Sequence, residues 1–214
     1  MDAVVTPERV SAYGQHRPQT PVDRFGVWLG GRAARRSADF RDARLGDFGC
    51  GFQATLARSQ LPVVRSALLV DLALAEDLKR HPKVKAIEAP LLGVLPELEA
   101  ESLDIVLCLS VLEHLWEPEE AVRQFRRILA PGGVAVLNVP SWLGKPFLEF
   151  AAFRLGVSPA EEMNDHKAYY DPRDLWPMLV RAGFRPSMIR CHRHKFGLNT
   201  AAVCRVPGRS ARRL

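Results

Sequence analysis

Nowhere in this 214-residue chain do about 20 consecutive apolar residues occur, so the sequence offers no candidate membrane span. Cysteine is scarce: four residues, Cys50, Cys108, Cys191 and Cys204, lie far apart. No C-x-x-C pair and no cysteine–histidine spacing suggests structural zinc, and the simplest reading is reduced thiols in a cytosolic protein. The opening MDAVVTPERVSAYGQ has no apolar core of signal-peptide length, which adds to the expectation of a cytoplasmic location. Aromatic residues make up 8% and are not threaded through a basic stretch, so the RNA-binding signature is missing. The net charge of +6 therefore reads as solvated surface, concentrated at Arg32, Arg35 and Arg36 and at Arg205, Arg209, Arg212 and Arg213. A nucleic-acid partner is not expected, and repeats and low-complexity tracts are lacking.

The chain does have the 47% hydrophobic and 25% charged content of an ordinary globular domain, at a length that buries one sizeable core. Residues 1–20, with Pro7, Gly14 and Pro18, read as a loosely draped or poorly ordered arm. One domain follows over 21–207, with an insertion-like stretch at about 141–170, and 208–214 form a basic tail. Within the domain, short apolar runs alternate with amphipathic ones. Strands are expected at Arg44–Phe48, Ser66–Val70, Val84–Glu88, Leu103–Leu109 and Gly133–Val139. Helices fit at Ala54–Gln60, Leu74–Arg80, Pro118–Leu129 and Pro172–Ala182, and a short one is read in VDRFGVWLGGRAARR from the helical spacing of Phe25, Trp28 and Leu29, weakened by Gly30 and Gly31. Runs such as LDIVLCL and VAVLNV are apolar throughout, which suits a parallel sheet covered on both faces. Two last strands, near Pro186–Cys191 and Asn199–Val206, can pair as a hairpin at one sheet edge. The fold class is α/β, a Rossmann-like sheet with helices on both faces.

Where the first strand ends, LGDFGCGFQATLA packs an aspartate and two glycines into the turn before a helix. Open parallel sheets bind ligands at that carboxyl end, and glycine lets the backbone approach them without a side chain in the way. Asp71 ends the next strand 20 residues beyond Gly51, where a carboxylate can accept both hydroxyls of a ribose. Together they point to an adenosine-type ligand. The same Gly49-x-Gly51-x-x-Ala54 spacing also fits the relaxed dinucleotide fingerprint, so NAD remains open on spacing alone.

With LGDFGCG, the acid of LLVDLA, LDIVLCLSVLEHLWEPEEAVRQFRRILAPGG and VAVLNVPS in order, the chain resembles the class I S-adenosylmethionine-dependent methyltransferases. The likeness covers about residues 40–140, and NDHKAYYDPRDLWPMLVRAGF resembles the later segment of the small-molecule branch. It implies a seven-stranded, mostly parallel sheet with one antiparallel strand from a terminal hairpin. It also implies S-adenosyl-L-methionine as cofactor and S-adenosyl-L-homocysteine as product. The turn Asp47, Phe48, Gly49, Cys50 and Gly51 would hold the methionine end, Asp71 the ribose, and Leu109 and Ser110 the surroundings of the sulfonium. One departure stands after the third strand, where relatives place an acid near adenine and this chain reads Glu88-Ala89-Pro90-Leu91. Either Glu88 serves from slightly earlier or Leu72 and Leu91 hold the adenine by apolar contact.

Methyl transfer from a sulfonium is an in-line displacement favoured by alignment in a dry site, and it requires no divalent metal. A hydroxyl acceptor must also lose a proton, and His114 in VLEHL and His166 in NDHKAYY are the candidate bases. Simple packing is the competing role for each. Trp142, Phe147, Phe150 and Phe153 could line an apolar acceptor pocket or belong to the ordinary core. His192 and His194 would share a strand face, yet with no carboxylate or cysteine pattern beside them no metal ligand is assigned. The expected activity is O-methylation of a small-molecule or sugar-containing acceptor. A degenerate cofactor-binding scaffold and a nucleotide-dependent oxidoreductase are the competing classes. Acceptor identity and oligomeric state do not follow from these residues.

Overall fold

The computed structural model describes residues 11–16, 20–153 and 165–209. Its centre is one seven-stranded sheet built from β1 (Arg44–Phe48), β2 (Ser66–Asp71), β3 (Val84–Glu88), β4 (Leu103–Leu109), β5 (Leu129–Pro140), β6 (Ile189–His194) and β7 (Asn199–Arg205). The spatial order is β3-β2-β1-β4-β5-β7-β6. All pairings from β3 to β5 are parallel, and β7 runs antiparallel to both neighbours. The order reverses between β1 and β4, which opens the switch-point crevice at the carboxyl ends of those strands. The architecture expected from the sequence is the one observed.

Helices cover both faces. On one, α1 (Pro21–Ser37), α2 (Thr55–Gln60) and α3 (Glu76–Lys79) bury Ala34, Leu56, Ala57 and Leu78 against Leu45, Leu69, Ile105 and Leu107. On the other, α4 (Leu91–Val94), α5 (Pro118–Ile128) and α7 (Pro172–Arg181) pack over Phe48, Val106, Leu137 and Ala202. The remaining helix, α6 (Gly144–Phe153), follows β5 in the insertion-like stretch. Alternate residues of the central strands feed the two cores, so neither face of the strands is left wet.

Local chemistry explains the boundaries. A Thr20–Asp23 capping box and Pro21 at the first turn start α1, which continues through Gly30 and Gly31 to Ser37. Gly31, buried within it, lets the helix approach Leu56, whose Cδ1 lies 3.3 Å from where a Cβ would stand. The third helix is shorter than Leu74–Arg80 because the Leu74 N–H donates to Glu88 Oε1 at 2.7 Å, outside any helical ladder. Strand β5 begins four residues before Gly133, since Leu129 already pairs with Leu103 ahead of a register shift. Pro186 starts a single 3₁₀ turn over Pro186–Met188, which moves the next strand to Ile189–His194.

Phe125 and Phe48 are fully buried with ring centroids 5.2 Å apart, joining α5 to the strand that carries the glycine turn. Phe125→Ala is expected to cost about 3–5 kcal/mol of unfolding free energy, the usual penalty for emptying a buried aromatic site. Chemical denaturation of the two proteins measures it, and a loss below about 1 kcal/mol would show that this contact does not organise the core.

Candidate functional site

The crevice is shaped first by backbone. Gly49 and Gly51 sit at φ +72° and +73°, the left-handed region that side chains disfavour. A Cβ on Gly49 would stand 2.2 Å from Val111 Cγ2, so a bare residue is required where the turn after β1 meets the segment after β4. The Gly49 N–H donates to Val70 O at 2.8 Å, and the Gly51 N–H donates to Asp71 Oδ2 at 2.7 Å. Asp71 Oδ1 accepts the Leu72 N–H at 2.7 Å. Asp71 thus shapes the turn as well as facing it, a role the sequence reading did not assign.

The other turn residues divide by burial. The Phe48 side chain is wholly inside the core, so only its backbone borders the crevice. Cys50 directs its thiol at Val70 O, 3.8 Å away, and burial raises its pKa far above the thiol range, which makes it packing rather than nucleophile. Asp47 is 4% exposed, and burial, followed by the neighbouring Asp71 charge, pushes its pKa up to about 7. A buried acid in that state is well matched to a cationic group. Residues 11–16 lie over this turn: Ala12 is buried, and Tyr13 O accepts the Phe52 N–H at 2.9 Å.

Around the adenine side, Leu72 and Leu91 are half-buried at the ends of their elements. Glu88 is committed elsewhere. Its Oε1 accepts the Leu74 N–H and lies 3.2 Å from Lys79 Nζ, and these partners hold its pKa down. At the end of β4, Leu109 is half-buried, while Ser110 is exposed at φ +59° and donates its N–H to Asn138 O at 2.7 Å.

Beyond Ser110 the chain makes one 3₁₀ turn, Leu112–His114, which presents His114. His114 Nδ1 lies 2.9 Å from Asp165 Oδ2, and Lys167 Nζ holds the other oxygen at 2.8 Å. The His166 ring stands 4.8 Å from the His114 ring, and its Nδ1 is 3.2 Å from the Tyr169 hydroxyl. The fold thus brings together the two candidate histidines from segments far apart in the chain. Backbone does the joining, since the Lys167 N–H donates to Glu113 O at 2.7 Å. Asp165 and the buried Glu113 were not singled out from sequence. The only signal for Asp165 was its place directly before His166, and Glu113 had none beyond adjacency to His114.

The aromatic residues after β5 are not core. Trp142, Phe147 and Phe150 are all about half exposed, and Trp142 packs on Tyr169 with centroids 5.6 Å apart. The Phe153 side chain lies outside the described residues. His192 and His194 are on β6 with rings 6.5 Å apart, and burial lowers the His194 pKa.

Asp47 generates a test. An acid whose folded pKa is raised from 3.8 to about 7 binds its proton more tightly folded than unfolded. Its contribution to stability is present below about pH 4 and is lost as pH climbs through about 7. Without cofactor, Asp47→Asn is expected to lose less stability than the native protein between those limits. Thermal unfolding across pH measures this, and parallel curves would rule out a buried acid of raised pKa.

Comparison with known proteins agrees with this arrangement. Residues 46–137 match the family described as a methyltransferase domain. A probable S-adenosylmethionine-dependent methyltransferase of Mycobacterium tuberculosis is 29% identical over 150 residues, which are 67% of this chain and 48% of that protein. The ubiquinone biosynthesis O-methyltransferase of Neisseria meningitidis is 28% identical over 157 residues, 68% of this chain and 65% of that one. This chain thus spans about half the length of the first of these relatives. In fold it is similar to a Haemonchus contortus N-methyltransferase solved with S-adenosylhomocysteine, with a TM-score of 0.64 and 14% identity over 85% of this chain and 54% of that one. The matched strand-turn-helix core, the bare turn with its two acids and the reversed strand order agree on one point: residues 46–137 are similar to the methyltransferase domain of S-adenosylmethionine-dependent enzymes.

Proposed function

We propose that this protein transfers a methyl group from S-adenosyl-L-methionine to an oxygen of a small-molecule acceptor, sugar-containing compounds included, and releases S-adenosyl-L-homocysteine. The carrying observation is the His114–Asp165 pair, with His166 beside it, on the segment that follows Ser110 at the end of β4. The residues present suit the cofactor. Gly49 and Gly51 provide backbone without side chains, Asp71 sets a carboxylate against the turn, the group type that accepts from ribose hydroxyls, and buried Asp47 matches a cationic methionine end. Bound there, the cofactor supplies an electrophilic methyl on a positively charged sulfur that departs as a neutral thioether.

The chain's own groups supply the rest. Asp165 orients His114 through Nδ1, which directs the other ring nitrogen to receive an acceptor proton. Lys167 fixes Asp165 in turn, so the pair is rigid before any acceptor arrives. Trp142 and Tyr169 offer an aromatic wall beside the histidines, suited to the flat or ring-shaped face of a small molecule. The name of the Neisseria relative supports oxygen as the methylated atom. A cytoplasmic setting belongs to the same proposal, supported by four free cysteines. Among the described residues no helix is long and apolar enough to cross a membrane.

Two substitutions test the assignment. Asp71→Ala is expected to weaken S-adenosylhomocysteine by about 1–3 kcal/mol, the scale of losing a charged hydrogen-bond partner. Calorimetry measures it, and unchanged affinity would remove Asp71 from the cofactor site. His114→Ala should lower kcat by about 10²–10⁴ while leaving S-adenosylhomocysteine affinity intact. Transfer of a labelled methyl to a panel of hydroxyl acceptors gives the rate, and equal turnover would exclude the histidine from the chemistry.

A further inference from the structure

We propose that Glu113, His114 and His166 form a binding site for one divalent transition-metal ion beside the methyl-transfer crevice. One ligand atom from each of the three lies within 4.8 Å of the others. They do not form a solvated surface cluster: Glu113 is 1% exposed, and the His114 side chain only 11%. Two ligands about 2.1 Å from a tetrahedral ion stand about 3.4 Å apart, so atoms within 4.8 Å of one another must draw closer for all three to hold one ion.

The surroundings of the two rings separate this cluster from a chance meeting. A metal-binding imidazole usually engages a carboxylate, carbonyl or other polar group through its second nitrogen, which fixes the tautomer and aims the first. Both rings here are held in that manner at Nδ1, His114 by Asp165 at 2.9 Å and His166 by the Tyr169 hydroxyl at 3.2 Å. Because ionised Asp165 can only accept, the His114 Nδ1 carries the hydrogen and Nε2 carries the lone pair. Lys167 secures Asp165 in its turn, and the Lys167 N–H to Glu113 O bond ties the ligand-bearing segments together.

The donor set selects the kind of ion. Two imidazoles and one carboxylate suit zinc, iron, cobalt or nickel, whereas magnesium and calcium prefer oxygen ligands alone. Three protein ligands also leave coordination positions open. A cation held there would favour the deprotonated form of an acceptor hydroxyl. The inference rests on the methyl-transfer reading for the purpose of the ion, and it deepens that reading by making the imidazoles ligands when the ion is present.

Cobalt(II) tests the site without reference to turnover. The full-length protein, stripped by chelation and titrated with cobalt(II), is expected to develop ligand-field absorption that saturates at one equivalent and is displaced by zinc(II). His114→Ala and His166→Ala should each abolish the band. Asp165→Asn keeps all three ligands and should weaken binding about 10–100-fold, as loss of an orienting partner does. No band in the native protein, or a band that survives both histidine substitutions, overturns the site. Calorimetry with S-adenosylhomocysteine on the same samples separates the two readings. A variant that binds this ligand but not cobalt(II) has kept its fold, and a native protein that binds cobalt(II) alone retains the ion site while losing the methyl-transfer assignment.

Discussion

The bond from the Gly51 N–H to Asp71 Oδ2, 2.7 Å long, is the constraint on which the cofactor half of the molecule depends. It joins the end of β2 to the turn after β1, and it holds a carboxylate at the mouth of the crevice by giving it backbone donors on both oxygens. Charge-assisted bonds of this kind are stronger than neutral ones, so the turn keeps its left-handed glycines in place against their conformational freedom. The same anchoring has an electrostatic consequence. Fixing the Asp71 charge near buried Asp47 makes a second negative charge unfavourable, and it adds to the effect of burial in raising the Asp47 pKa. A positive charge placed between these acids would relieve the conflict.

Much of this half was legible in the chain because its determinants are close in sequence. The interval of 20 residues from Gly51 to Asp71 spans one helix and one strand, and the apolar runs around it have no reading except buried parallel strands. What escaped was the double duty of Asp71, since a sequence shows that an acid ends a strand but not which amides it will meet. Glu88 illustrates the same limit. Its place after the third strand suggested an adenine contact, but the Leu74 amide and Lys79 lie closer to hand and take it.

The acceptor half was less legible for a physical reason. His114 and Asp165 are separated by 51 residues, and no periodicity spans that distance. They meet because the 3₁₀ turn after β4 offers the Glu113 carbonyl to the Lys167 amide, a backbone contact that is blind to side-chain identity. Pattern reasoning found the histidines as residue types suited to proton transfer, but it had no means of finding their partners. The aromatic residues after β5 show the opposite error. Helical spacing made Trp142, Phe147 and Phe150 candidates for core, yet both faces of the sheet are already filled by α1–α5 and α7, which leaves them on the outside.

This division gives the molecule two unequal freedoms. Changes in the turn after β1 meet Val111 at 2.2 Å from a hypothetical Cβ and disturb the Asp71 anchor, so the cofactor half tolerates little variation. The acceptor half stands on helix α6 and on the segment from Asp165 to Tyr170, which touch the sheet through a few bonds such as Tyr170 N–H to Pro140 O. Side chains there can change without altering strand pairing or the glycine turn. The backbone bonds at Glu113 and Pro140 hold that segment in place whatever side chains it carries. Those two carbonyls, rather than any aromatic on the rim, tie the segment from Asp165 to Tyr170 to the sheet and to the turn after β4.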